Sequence, residues 1–213
     1  MKKSNKNKDK IITELKKEIK RLRKINIQDE LTNALNRTGF KKEVAGILKE
    51  VVFFKKIKGK DKNIYRKKFL VRDLSVLFID VDGLKKINDL HGHSAGDRLI
   101  KKTASLIKEN VRATDFVGRW GGDEFVVALP GSSESDAYKI SEKIRKSIKN
   151  KGKVLGLRMV KVSLSIGVIG VTKELLADND SLTLDDLIDY AHAAMYEAKK
   201  GRGGDNSVKY GEI

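Results

Sequence analysis

The chain contains no cysteine. That absence excludes a disulfide framework, a thiolate zinc site and a cysteine nucleophile. It fits a reducing compartment, so a cytoplasmic location is expected. Long apolar runs are also missing. None approaches the roughly 20 residues that cross a bilayer, so no membrane span is expected. The first residues, rich in lysine and asparagine, lack the apolar centre of a signal peptide. Aromatic residues are scarce, with a single tryptophan; residues 1–28 hold none, and residues 49–72 hold Phe53, Phe54, Tyr65 and Phe69 but no tryptophan. A stacking platform for nucleic-acid bases is not expected there.

What abounds is lysine. The 213 residues carry 46 Lys and Arg against 29 Asp and Glu, a net charge of +17. Such a surplus first points to nucleic acid, but its distribution argues otherwise. Residues 1–28 hold 11 basic against 3 acidic residues, residues 49–72 hold 10 against 2, and the rest is close to neutral. The two segments read as solvated, lysine-rich surfaces, with an acidic partner, lipid headgroups or RNA as the sharper alternative. No specific nucleic-acid partner is expected.

Residues 9–28 predict a helix in which Ile12, Leu15, Ile19 and Leu22 form a short stripe spaced by three and four. Its three heptads are marginal alone, so it is expected to pair with a second copy or to pack on the domain, pairing being preferred. Asp29 or Thr32 then caps a second helix running through Ala34, Leu35, Phe40, Val44, Ile47 and Leu48. The basic stretch near 52–72 predicts an exposed loop or hairpin insertion. Leu74 to Asp82 is the clearest strand, nearly continuously apolar and acidic at its end. Helices are predicted over about 95–110, 134–149 and 182–199. Strands are predicted near 115–119, 124–129 and 159–171, the first two joined through Gly121-Gly122 as a hairpin. The order β-α-β-β-α-β is an α+β plan, a split βαβ with a mixed central sheet flanked by helices, shared in outline with polymerase palms and nucleotidyl cyclases. An N-terminal helix (1–28) precedes one domain (29–213).

Asp80 and Asp82 are two apart at the end of a buried strand, hence on one face. Asp123 and Glu124 follow the Gly-Gly turn of the hairpin. In a split βαβ sheet the first strand lies beside that hairpin, so these acids can converge. Such a cluster is costly unless a cation neutralises it. Its oxygen ligands favour Mg²⁺ or Mn²⁺, usually completed by substrate phosphates. That chemistry is phosphoryl or nucleotidyl transfer.

Arg119-Trp120-Gly121-Gly122-Asp123-Glu124-Phe125 resembles the signature of the GGDEF family of diguanylate cyclases. The resemblance extends to Phe78-Ile79-Asp80-Val81-Asp82-Gly83-Leu84-Lys85-Lys86-Ile87-Asn88-Asp89, to Gly92-His93-Ser94-Ala95-Gly96-Asp97, and to Asp29-Glu30-Leu31-Thr32 with Asn36-Arg37. Ser165-Ile166-Gly167-Val168 and Ala194-Met195-Tyr196-Glu197-Ala198-Lys199 are similar to its closing strand and helix, so about residues 29–208 are covered.

The resemblance implies condensation of two GTP into cyclic di-GMP and two pyrophosphates by a homodimer. It implies that Asp80, the Val81 carbonyl and Asp123 or Glu124 hold Mg²⁺ or Mn²⁺, two ions per site. One of the two signature acids takes the proton of the attacking 3′-hydroxyl. Asn88 and Asp97 would read guanine, and His93 would line the site. Gly83, Leu84 and Lys85 would meet phosphates, with Gly121 and Gly122 leaving room for the nucleotide and Lys199 adding charge. Relatives that make mixed adenine–guanine products tend to carry a different residue at the position of Asp97. Arg112 and Asp115 match the family's inhibitory product site. The family usually ends Ala-Lys-x-x-Gly-Arg-Asn; here Arg202 arrives one residue early, which leaves its phosphate contact open. A catalytically silent receptor for GTP or cyclic di-GMP is the alternative, and it would be expected to have eroded metal residues.

Overall fold

A computed structural model describes residues 12–18, 22, 27–57, 71–151, 162–179, 181–200 and 204–213. The domain is a five-stranded sheet between two helical layers. In chain order the elements are α1 (Arg37–Ile57), β1 (Leu74–Asp82), α2 (Leu84–His91), α3 (His93–Glu109), β2 (Phe116–Arg119), β3 (Glu124–Pro130), α4 (Glu134–Lys151), β4 (Ser163–Gly170), α5 (Lys173–Asp178), α6 (Leu184–Lys200) and β5 (Asn206–Lys209). The strands lie in the order β2-β3-β1-β4-β5, antiparallel throughout except for the parallel pair β4–β5. This is the expected palm-like plan.

Burial explains why β1 reads as almost continuously apolar. It is the central strand, and both of its faces are covered. Leu77, Ile79 and Val81 pack on one side with Leu99, Ile107 and Ile144 of α3 and α4. Val76 and Phe78 pack on the other with Phe40 and Val44 of α1 and Leu187 and Met195 of α6. The strand alternation therefore puts Asp80 and Asp82 on the α6 face.

Several expectations are corrected. The second helix begins at Arg37, and its cap is Asn36, whose Oδ1 accepts from the Gly39 amide at 2.8 Å. Asp29 and Thr32 instead close a turn, with Asp29 Oδ1 accepting from the Thr32 amide and hydroxyl at 2.9 and 2.6 Å. Leu35 lies outside the helix and bridges Gln28 and Gly118, so residues 27 and 28 are not helical. Residues 12–18 and 22 are helical, and the remainder of the predicted N-terminal helix up to residue 26 lies outside the described residues. The basic stretch does not begin as a loop. Val51 and Phe54 continue the buried spacing of Phe40, Val44 and Leu48, which carries α1 through Ile57. Residues 58–70 of that stretch lie outside the described residues. Four short elements were not expected: α2, α5 (capped by Thr172), the edge strand β5 and a closing 3-10 turn, Tyr210–Glu212.

Candidate active site

The sheet register builds the centre of the site. Asp80 on β1 pairs directly with Glu124 on β3 and with Ser165 on β4. The Val81 amide donates to the Asp123 carbonyl at 3.0 Å, which locks the signature turn to the end of β1. Asp80 is only 5% exposed, and its Oδ1 accepts from the Lys199 ammonium at 2.9 Å. Burial pushes the Asp80 carboxyl up. Lys199 opposes that, and the charges of Asp123 and Asp82 add to it. Burial also lifts Glu124; His192 and Lys199 pull it down, and Asp123 and Asp80 push it up. Burial works against the Lys199 charge, but its bond to Asp80 and the fields of Asp82 and Asp123 hold the ammonium above its ordinary value.

The turn is shaped by small side chains and one arginine. A Cβ at Gly121 would stand 2.5 Å from Glu124 Oε2, so glycine lets that carboxylate fold beneath the turn. At Gly122 a Cβ would meet nothing within 4 Å and the backbone is unstrained, so the space outside the turn is open for a ligand. Arg119 braces the turn from behind. Its Nη2 donates to the Gly122 carbonyl at 2.8 Å, and Nη1 donates to Asp29 Oδ2 at 3.2 Å and Oδ1 at 3.3 Å. Trp120 lies edge-on to Phe40 and Phe78, with the Arg37 guanidinium 4.4 Å over its ring.

Beside this centre, α2 starts at Gly83, whose φ of 83° is left-handed and which provides no side-chain cap. The amides of the first turn, at Leu84 and Lys85, are therefore available to an anion. Asn88 lies over Gly96 of α3, too close for any Cβ there, and its Oδ1 is buried without a hydrogen-bond partner. A buried acceptor left open is costly and calls for a donor such as a base edge. His93 and Asp97 sit exposed on the first turns of α3, Asp97 next to Gly96.

Arg112 and Asp115 stand at the far end of β2, roughly 13 Å from the signature turn at the usual strand rise. Asp115 Oδ2 accepts from the Arg112 amide at 2.7 Å, so the pair closes a turn without tying up the exposed guanidinium. Asp115 Oδ1 is buried and unpartnered, and burial raises its carboxyl. Both residues line a groove of ≈ 410 Å³ shared with Gln28, Asn33 and Lys108.

The chain matches the family model described as diguanylate cyclase, GGDEF domain, over residues 26–205. The chain belongs to the GGDEF family. It is 37% identical over 127 residues to diguanylate cyclase A of Treponema denticola, covering 60% of this chain and 33% of that protein. It is 39% identical over 137 residues to the diguanylate cyclase DosC of Escherichia coli, covering 64% of this chain and 28% of that one. The chain thus spans about a third or less of these relatives. Among solved structures, the GGDEF domain of YfiN from Pseudomonas aeruginosa superimposes with a TM-score of 0.63 at 31% identity, covering 86% of this chain and 94% of that one. The coiled coil and GGDEF domain of DgcB from Caulobacter crescentus, in complex with c-di-GMP, gives a TM-score of 0.74 at 22% identity, covering 95% of each chain.

Within this GGDEF domain the expected site residues fall into two places. Asp80, Val81, Gly83, Leu84, Lys85, Asn88, His93, Asp97, Gly121, Gly122, Asp123, Glu124 and Lys199 gather at the end of β1, the signature turn and the α2–α3 hairpin. Arg112 and Asp115 form the separate groove, and Arg202 lies outside the described residues. Among the described residues, no three of His, Cys, Asp and Glu form a group able to hold a metal ion by themselves. The acids at the strand end nonetheless suit a cation completed by phosphates. Mg²⁺ is commonly held by one or two carboxylates together with substrate oxygens, and here the Lys199 ammonium already occupies an Asp80 oxygen as a positive group.

Asp82 is not free to join that set, since its oxygens accept from Ser163, Ser165 and the Asp205 amide. Sequence alone did not reveal His192, whose ring lies 4.8 Å from that of Phe78 and which is among the groups pulling the Glu124 carboxyl down. Nor did it reveal the Asp29–Arg119 brace. Both depend on residues far apart in the chain, and no spacing signals them.

Proposed function

We propose that two copies of this domain condense two GTP into cyclic di-GMP and two pyrophosphates. The observation that carries the reading is the β1–β3 register, which sets Asp80 opposite Glu124 beside an open glycine turn. The names of the curated relatives support it.

Each site takes one GTP. The unpartnered Asn88 Oδ1, with Asp97, accepts from the guanine N1–H and N2–H₂ edge. The uncapped first turn of α2 at Gly83, Leu84 and Lys85 receives phosphate oxygens, with Lys199 adding positive charge and His93 lining the pocket. Asp80, the Val81 carbonyl and a signature acid would hold Mg²⁺ or Mn²⁺, two ions per site, and such ions would supply activation of the 3′-hydroxyl and charge neutralisation at the leaving pyrophosphate. Each 3′-hydroxyl attacks the α-phosphorus of the partner's GTP. One P–O bond forms as one to pyrophosphate breaks, and the hydroxyl proton passes to Asp123 or Glu124. Done twice, this closes the ring, so a homodimer is required. Arg112 and Asp115 are proposed to bind the product and slow the enzyme, since Arg112 can fork onto phosphate and Asp115 Oδ1 is open to a guanine donor. The same catalytic reading places the domain in the cytoplasm, where GTP is made.

Purified protein incubated with GTP and Mg²⁺ or Mn²⁺ should yield cyclic di-GMP on chromatography. Glu124→Gln should slow it roughly 10²–10⁴-fold. If the wild type forms no dinucleotide and behaves like Asp123→Ala, the cyclase reading fails. Tight nucleotide binding without turnover would instead establish a receptor.

A further inference from the structure

Beside the proposed cation site lies a second charged network, to which no role in the reaction has been assigned. Asp82 stands two residues beyond Asp80, yet its carboxylate is engaged elsewhere. Its Oδ2 accepts from Ser163 Oγ at 2.7 Å and from the Asp205 amide at 3.2 Å, and its Oδ1 accepts from Ser165 Oγ at 2.8 Å. Asp205 is held in turn from α4, on the other side of the sheet. Arg145 Nη1 donates to Asp205 Oδ1 at 2.6 Å and to its carbonyl at 3.1 Å. The same guanidinium forks onto Glu142 through Nε and Nη2, at 2.8 Å each. Lys149 adds a bond of 2.9 Å to Asp205 Oδ2.

This is more than a surface ion pair. The Arg145 and Asp205 side chains are 14% and 10% exposed. Asp205 has a left-handed φ of 61°, uncommon outside glycine though more accessible to aspartate than to most residues, and here its side chain and carbonyl are both held by Arg145. Asp82 is also within electrostatic range of both Asp80 and Lys199. Whatever orients Asp82 therefore decides whether it competes with Asp80 for Lys199.

We infer that Arg145 is a positioning residue for the phosphate end of the nucleotide, acting through Asp205 and Asp82. This rests on the nucleotidyl-transfer reading above. Arg145 touches no reacting atom. It fixes Asp205 so that the Asp205 amide and the two β4 serines hold Asp82 on β4, which leaves Lys199 to Asp80. Without Arg145, Asp205 relaxes from its left-handed conformation and withdraws its amide. Asp82 then turns toward Lys199, and the phosphate end loses the geometry set by Asp80 and Lys199, while the guanine end at Asn88 and Asp97 is untouched.

The test compares two ligands on the full chain in the presence of Mg²⁺. 3′-Deoxy-GTP binds without reacting, because it lacks the attacking hydroxyl; guanosine carries no phosphate. Arg145→Ala should weaken 3′-deoxy-GTP by about 10- to 100-fold, the usual effect of removing a residue that orients a metal-site ligand, and leave guanosine binding unchanged. With GTP itself, KM should rise by more than kcat falls. Arg145→Lys should restore only part of the loss, since one ammonium cannot fork onto Glu142 and Asp205 together. Asp205→Asn should follow the alanine variant, and it decides the matter if Arg145→Ala does not fold. Equal weakening of both ligands would mean a merely structural role and overturn the inference, as would unchanged 3′-deoxy-GTP binding in both variants. A folded wild type that binds neither ligand would remove the nucleotide reading itself, and this inference with it.

Discussion

Asp29 shows how much a single side chain decides here. It closes the turn ahead of α1, yet through Arg119 it reaches the Gly122 carbonyl on the signature turn. Burial works to raise the Asp29 carboxyl, but the Thr32 hydroxyl and amide together with Arg119 hold it below its ordinary value. The sign follows from that depression. The folded state gains stability from ionised Asp29 above the ordinary aspartate range, and loses it as pH falls through the lower folded value. Asp29→Asn should therefore cost about 1.5–3 kcal/mol at neutral pH, the range for hydrogen bonds to a charged group. The gap to wild type should close as pH drops below about 4. Thermal unfolding of both proteins from neutral to acid pH measures it; a gap as wide in acid as at neutrality would remove the assigned role.

At the level of elements, β2 separates two tasks. Its end leads into the signature turn, and its start follows the loop that carries Arg112 and Asp115. With four residues, β2 leaves the proposed product site distinct from the catalytic centre but joined to it by one rigid strand. Arg112→Ala should thus raise the cyclic di-GMP concentration needed for half-inhibition by about 10-fold or more, the scale of one lost charge-assisted contact, and leave the initial rate without product unchanged. Progress curves with added product test this, and inhibition identical to wild type would rule out the groove as the product site. The same scale explains the length of α1. Lys55 and Lys56 give a basic, loop-like composition, whereas Val51 and Phe54 still face the core and Lys55 pairs with Asp73 at 2.7 Å.

On the scale of the whole molecule, the proposed reaction needs two domains, because each site supplies one nucleotide. Ile12 and Leu15 on the N-terminal helix are 48% and 57% exposed, an apolar stripe suited to a second copy. Replacing Leu15 with Asp should shift sedimentation from dimer toward monomer. Activity at low protein concentration should fall by about 10²-fold, the gain that tethering typically supplies, and recover as concentration rises. A Leu15→Asp protein that stays dimeric and fully active would show that the dimer forms elsewhere. Among the described residues no helix is long and apolar enough to cross a membrane.

The sequence by itself determined the layered α+β plan, because hydrophobic periods of two and of 3.6 are local properties of the chain. It also determined the strand-end acids and the glycine turn, because carboxylates at the end of an apolar run and paired glycines are local too. The tertiary structure alone decided what holds each acid in place. Asp80 and Asp82 look equivalent in the chain, but β-sheet register gives Asp80 to Glu124 and Lys199, and Asp82 to Ser163, Ser165 and Asp205. Asp29 and Arg119, or Arg145 and Asp205, meet only because the sheet and its helices close on one another. Pairings of that kind follow from the packed fold, and no short-range pattern records them.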